Sequence, residues 1–108
     1  MAQAAGAWTL ADLYRLPDYG NKYEVIDWEL FVTPAPSPVH EVLATALHEL
    51  LQPYVHQEQL GRVYMAKSVI QTKKSQVEPD LMVRKTPRPI PEKWPEMPTP
   101  ILVVEVLS

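Results

Sequence analysis

Two carboxylates beside short apolar segments are the residues best placed for chemistry. Asp80 precedes the apolar run 81–83, and Glu105 interrupts the nearly all-apolar run 101–107. If these segments pair as strands, the two carboxylates converge at one end of a sheet. Their hard oxygen ligands suit Mg²⁺ or Mn²⁺. Such a metal activates water and stabilises charge on a phosphodiester, so one interpretation of the pair is a site for metal-dependent hydrolysis.

A structural interpretation competes with this metal site. A carboxylate inside an apolar strand needs a partner, because burial of an unpaired charge is costly. Arg62 or Lys67 would supply that partner for Glu105, and Asp80 would then be only a loop residue that follows a proline. Taken by themselves, the residues favour the structural interpretation, since structural ion pairs are common.

His40 and Glu24 are further candidates with open alternatives. His40 lies near the start of a predicted helix, where a neutral imidazole can bind a metal or accept a proton. A capping or surface role is the simpler interpretation of that histidine. Glu24 lies in a predicted strand of alternating character, so it faces either a site or solvent.

The elements that position these residues begin with a short helix at 9–16, capped by Thr9 with Asp12 three residues later. Segments 22–26 and 29–33 predict a hairpin around Asp27-Trp28, although tryptophan is a poor residue for the positive φ of a two-residue turn. A proline-rich connector at 34–38 follows. The apolar spacing of 39–59 predicts a long helix that kinks at Pro53 or ends near Leu51.

The second half of the chain predicts strands and loops. Segments 62–66, 68–72 and 81–83 are strand-like, whereas 73–76 and the proline-rich stretch 86–100 are loop-like. The final run 101–107 has the composition of a strand that is covered on both faces.

Composition limits the class of protein. A chain of 108 residues predicts a single domain, and 46% apolar residues argue against disorder. No apolar run approaches a membrane-spanning length, so no membrane partner is expected. The absence of cysteine favours a reducing cytoplasm. A net charge of −3 gives no sign of a broad basic surface, but a local basic groove stays possible.

Four segments occur together in a recognisable order: Tyr-Glu-Val-Ile-Asp at 23–27, a proline-rich connector into a helix near His40, Glu-Pro-Asp-Leu-Met-Val at 78–83, and Leu-Val-Val-Glu-Val-Leu-Ser at 102–108. In these segments, and over residues 9–108, the chain resembles the Uma-two family. This is a bacterial group of unknown function within the PD-(D/E)XK nucleases, which are restriction-endonuclease-like.

The resemblance implies an α/β (α+β) fold in which a mixed, mainly four-stranded core sheet is flanked by helices. It also implies that Asp80 and Glu105 bind Mg²⁺ or Mn²⁺ and that Glu24 and His40 lie in the active-site region. The implied activity is endonucleolytic hydrolysis of DNA.

The chain departs from the family pattern at functional positions. Leu107 stands two residues after the glutamate, where the superfamily commonly has lysine, and Asp27-Trp28 replaces the usual Asp-Gly turn. The family continues with a helix that carries an aspartate and a lysine. We therefore expect residues 1–108 to be the N-terminal portion of one such domain, truncated after its central strand and inactive or incomplete.

Two other interpretations stay open. The chain is then either a catalytically degenerate oligomeric binding protein, which pairs with another copy through its uncovered final strand, or a structural domain without a site.

Overall fold

The computed structural model describes residues 2–4, for the backbone alone, and residues 6–107. The elements in chain order are β1 (Ala2–Ala4), α1 (Leu10–Leu13), β2 (Lys22–Ile26), β3 (Glu29–Thr33), α2 (Pro38–Gln57), β4 (Arg62–Met65), β5 (Ile70–Gln71), β6 (Gln76–Val77), β7 (Leu81–Arg84), a 3₁₀ turn (Trp94–Glu96) and β8 (Leu102–Val104).

The described strands form two sheets with a long helix, which confirms the α+β class. One sheet has the order β1-β3-β2-β6-β5 and the other has the order β4-β7-β8. Every neighbouring pair is antiparallel, so the strands differ from the expected single mixed sheet. The short β2–β3 and β5–β6 connections explain part of this difference, because a parallel pair needs a crossover of a dozen or more residues.

The predicted hairpin is confirmed with both of its strand boundaries. β2 and β3 pair from Lys22 opposite Thr33 to Ile26 opposite Glu29. The two connecting residues, Asp27 and Trp28, have φ values of 47° and 70°. Two central residues with positive φ match the right-handed twist of the flanking strands. The hairpin therefore forms despite the tryptophan that the turn disfavours.

Helix α2 begins where the sequence predicts and extends through its internal proline. The Ser37 hydroxyl accepts a hydrogen bond from the His40 backbone N–H at 3.2 Å, which caps the first turn. Pro38 occupies the start of the helix, where its missing N–H costs nothing. Because the helix continues past Pro53 to Gln57, the predicted end near Leu51 is wrong.

Helix α1 is shorter than predicted, but its cap is as expected. The Thr9 backbone N–H donates to Asp12 Oδ2 at 2.8 Å, and the Thr9 hydroxyl donates to the same oxygen at 3.0 Å. The helix ends at Leu13, whereas the sequence predicted an end at Leu16.

Strand β7 is the buried centre of the three-stranded sheet. All four of its residues are buried, including Arg84, which is 1% exposed. The Arg84 guanidinium donates to the carbonyls of Pro98, at 2.8 and 3.0 Å, and of Val69, at 3.0 Å. These bonds tie the proline-rich loop to the sheet. The buried apolar side chains of the described residues are Val25, Leu30, Ala44, Val55, Val69, Leu81, Met82 and Val83.

Strand β8 contradicts one expectation. The sequence predicted a strand over 101–107 that is covered on both faces, but only Leu102–Val104 forms a strand and it lies at a sheet edge. Leu102 is 43% exposed and Val103 is 46% exposed. An apolar composition shows that a strand can be buried, but the position of the strand in the sheet decides whether it is buried.

Within the described ranges, no helix is both long and apolar enough to span a membrane.

Candidate functional site

The pairing of β7 with β8 brings Asp80 and Glu105 to the same end of a sheet. Leu81 lies opposite Val104, with the rest of the ladder in antiparallel register. Asp80 directly precedes Leu81 and Glu105 directly follows Val104, so the next positions of this register belong to the two carboxylates. The Val106 backbone N–H donates to Asp80 Oδ2 at 2.7 Å and closes this end of the ladder. The pairing on which the sequence argument depended is therefore present.

His40 contacts Asp80 from the first turn of α2. Its Nε2 lies 3.2 Å from Asp80 Oδ2, and the two side chains are 12% and 11% exposed. The His40 Nδ1 atom is 3.6 Å from Glu41 Oε1 and, within the described part of the chain, has no hydrogen-bond partner. The contact between His40 and the Asp80 carboxylate is therefore made through Nε2.

Glu24 faces the interior of the protein. It is 7% exposed, and its Oε2 accepts a hydrogen bond from the Glu78 backbone N–H at 2.8 Å. This bond attaches strand β2 to the segment that leads into Asp80. Glu24 therefore lies beside the candidate site, with one oxygen engaged by the backbone.

Lys22 lies at the candidate site, although the sequence did not predict it there. Its Nζ lies 3.3 Å from Glu105 Oε2, and its side chain is 19% exposed. The structural interpretation paired Glu105 with Arg62 or Lys67, and this pairing is wrong because the salt bridge of Glu105 is to Lys22. The available signal was the spacing of two residues between Lys22 and Glu24, which places both side chains on one face of β2.

Four carboxylates, which we call the carboxylate cluster, act on one another and on Lys22. They are Glu24, Glu78, Asp80 and Glu105. Burial alone would lower the pKa of Lys22, but the charges of Glu24, Glu105 and Asp80 outweigh it and raise the pKa. The ammonium is therefore held in its charged form by the cluster.

Two carboxylic acids of the cluster, Glu105 and Glu78, also have raised pKa values. Burial raises the pKa of Glu105, against the attraction of Lys22, and nearby carboxylates raise it further. Burial also raises the pKa of Glu78, although Lys67 and Lys22 oppose the change. Glu78 was quoted in a sequence motif but not predicted as part of a site.

A divalent cation fits these residues if two carboxylates hold it. Among the described residues, no group of three or more His, Asp or Glu side chains is arranged to hold a metal ion. Mg²⁺ is commonly bound through one or two carboxylates, with waters and substrate phosphates in the other positions. The contacts described above occupy Oδ2 of Asp80 and Oε2 of Glu105. The surplus of negative charge in the cluster also favours a cation.

Comparison with known families decides the relationship. A family profile for Uma2, described as "Putative restriction endonuclease", matches residues 10–108. The chain belongs to the Uma2 family. The Uma2 match includes Lys22, His40 and the whole carboxylate cluster, and it supports a nuclease-like function. No curated protein matches the chain. The last residue of the quoted Uma2 motif, Ser108, lies outside the described residues.

Proposed function

We propose that this Uma2 chain is a divalent-metal-dependent endonuclease domain that acts on DNA phosphodiesters. Asp80 and Glu105 are the proposed ligands for Mg²⁺ or Mn²⁺. The observation that carries the proposal is the β7–β8 register, in which Asp80 and Glu105 directly adjoin the paired residues Leu81 and Val104 at one end of the sheet. Membership in a family described as "Putative restriction endonuclease" supports the same chemistry.

Each neighbouring residue has a role in this proposal. A bound divalent metal supplies an activated water and stabilises negative charge on phosphate. His40 and the Val106 N–H hold Asp80 Oδ2, which orients the carboxylate. Glu24 fixes the backbone at Glu78, two residues before Asp80. These contacts hold Asp80 in position before the metal binds, so less ordering is needed on binding.

The proposed metal site, and not the overall charge of the protein, is the reason to propose DNA as the partner. With a net charge of −3, the protein attracts no polyanion as a whole. Contact with a phosphate would instead be made through the metal. The cysteine-free sequence supports a cytoplasmic location, where DNA is available.

Calorimetric titration with Mn²⁺ tests the proposed ligands. We expect wild-type protein to bind Mn²⁺ and Glu105→Gln and Asp80→Asn to lose binding, because an amide carries no charge to offset that of the metal. Glu92→Gln removes an exposed loop carboxylate and is the matched control, with unchanged affinity. Wild-type affinity in both site variants would exclude Asp80 and Glu105 as the ligands.

Cleavage by these 108 residues is proposed to be slow or absent. Leu107 supplies no positive charge two residues after Glu105, and loss of such a charge costs orders of magnitude in rate. Incubation of supercoiled plasmid with protein and Mg²⁺ or Mn²⁺ is the appropriate assay. Rapid metal-dependent nicking that Glu105→Gln removes would contradict slow cleavage while supporting the nuclease assignment.

A second function is favoured by one specific observation. Strand β8 lies at the edge of its sheet and exposes Leu102 and Val103. Uncovered apolar edge strands pair with other chains. We propose that β8 joins two copies of this protein, either in the nuclease or in a catalytically degenerate binding protein of the same fold.

A further inference from the structure

Lys22 lies where a cation is needed and where a metal is proposed to bind. Its ammonium is 3.3 Å from Glu105 Oε2, and its side chain is only 19% exposed. Lys22 and Glu24 share one face of β2, so the lysine is anchored on the five-stranded sheet. Glu105 follows β8 on the other sheet. The salt bridge therefore joins the two sheets across the site.

The charges around Lys22 explain why it is held there. Glu24, Glu105 and Asp80 all stabilise its charged form. The direct salt bridge to Glu105 is the shortest of these interactions that the structure defines. The Lys22 side chain is largely buried, although that of Glu105 is 46% exposed, and an ammonium in this position offsets part of the repulsion among the carboxylates.

An ammonium and a divalent metal on the same carboxylate repel each other. A metal ion approaches a carboxylate oxygen to about 2.0–2.1 Å in the case of Mg²⁺. A cation bound at Glu105 would thus lie within a few ångströms of the Lys22 Nζ. The two like charges would then share one carboxylate, and their mutual repulsion weakens the contact of each with Glu105.

We propose that Lys22 is a tethered counter-ion that occupies the carboxylate cluster in the metal-free protein and competes with a divalent cation for Glu105. The inference rests on the proposed function, since it assigns a regulator to the same metal site. Metal binding moves the ammonium away from Glu105. The lysine thereby keeps the empty site stable and sets the metal concentration at which the site fills.

Lys22→Met tests this competition through Mn²⁺ affinity and thermal stability, neither of which requires catalysis. Calorimetry should show tighter Mn²⁺ binding in K22M by on the order of tenfold, as expected for removal of a nearby like charge. In EDTA, K22M should melt below wild type, because the cluster has lost its counter-ion. Added Mn²⁺ should then raise its melting temperature more than that of wild type.

Two controls separate this effect from a change in net charge. Lys73→Met removes an exposed loop lysine and should leave Mn²⁺ affinity and stability at wild-type values. Lys22→Arg keeps the charge and should behave as wild type in both measurements. If K22M does not fold, as judged by circular dichroism, Lys22→Gln provides the same test with a polar side chain.

The outcomes distinguish the inference from the function on which it rests. Measurable and equal Mn²⁺ affinity in wild type and K22M overturns the role of Lys22 and leaves the metal site standing. Mn²⁺ binding by K22M but not by wild type supports the competition most strongly. Absence of Mn²⁺ binding from both proteins overturns the proposed metal site, and the competition with it.

Discussion

His40 acts on the proposed metal site through Asp80. Its Nε2 contacts the Asp80 carboxylate, so in the proposed function His40 orients a metal ligand and is a positioning residue. We predict that His40→Ala weakens Mn²⁺ binding by about 10- to 100-fold, the usual effect of losing a residue that orients a metal ligand. Calorimetry measures the affinity. His56→Ala, at an exposed position near the end of α2, should bind as wild type, and equal affinity in the two variants would contradict the role of His40.

The half-buried Glu78 carboxyl should make the stability of the folded protein depend on pH. Its pKa is raised by burial in the folded protein, so the native state binds a proton more tightly than the unfolded state does. Stability therefore falls as pH rises from the unfolded pKa through the folded one, and the cost is complete above both values. We expect Glu78→Gln to raise the melting temperature at pH 7 in EDTA.

The gain from Glu78→Gln should disappear when the pH falls below the unfolded pKa, near the ordinary value for glutamate, because both states are then protonated. Melting curves from pH 7 down to pH 4 provide the measurement. Glu92→Gln, in an exposed loop, is the control and should show no such dependence. A Glu78→Gln variant that is less stable than wild type at pH 7 would exclude a net cost for this carboxylate.

At the scale of elements, Gly61 controls the approach of the α2–β4 connection to β7. It has a φ of +126°, and a Cβ added there would lie 2.2 Å from the Arg84 carbonyl oxygen. Gly20, with a φ of +81°, would bring a Cβ only to 3.4 Å from Ala35 Cβ. Both positions disfavour alanine by conformation, but only Gly61 adds a clash with buried backbone.

We predict that Gly61→Ala destabilises the protein by at least about 1 kcal/mol more than Gly20→Ala does, because backbone next to the core cannot move freely. Urea denaturation of both variants measures the difference in the free energy of unfolding. Equal losses would mean that the β4–β7 sheet end adjusts to the added methyl group at no cost.

Local sequence signals predicted several elements well. The β2–β3 hairpin, the Thr9–Asp12 cap and the Ser37 start of α2 depend on residues within a few positions of one another. The length of α2 was harder, because Pro53 disfavours a helix by itself while the surrounding structure retains one. Strand β8 was predicted too long and too buried, since its composition carries no information about its neighbours.

At the scale of the whole molecule, the protein is flat. Its principal extents are 44 × 34 × 19 Å, and the thinnest dimension leaves room for about two layers of secondary structure. A thin molecule covers its apolar side chains incompletely. On β8 and beside it, Ile101, Leu102 and Val103 are all more than two-fifths exposed.

We predict that this surface makes the protein oligomeric at micromolar concentration. Light scattering should give a mass above the 12.3 kDa of one chain. Val103→Lys places a charge on the exposed edge strand and should return the mass to that of a monomer, because charged edges oppose strand pairing. Lys93→Glu, in the proline-rich loop, is a control for altered charge. A monomeric wild-type protein would contradict pairing through β8.

The sequence by itself determined the α+β class, the main local elements and the two carboxylates beside apolar strands. The local elements follow from short-range periodicity and capping, whereas the α+β class follows from the order of the motifs that the chain shares with Uma2. The sequence also supplied His40 and Glu24 as candidates, without deciding whether they face the interior.

Only the tertiary structure decided how these residues meet. It joined His40 to Asp80 and buried Glu24 against the Glu78 backbone. It also brought Lys22 to Glu105 across 83 positions of the chain. Such a contact depends on how two sheets pack and on which strands pair, and both are set by long-range burial that local sequence does not encode.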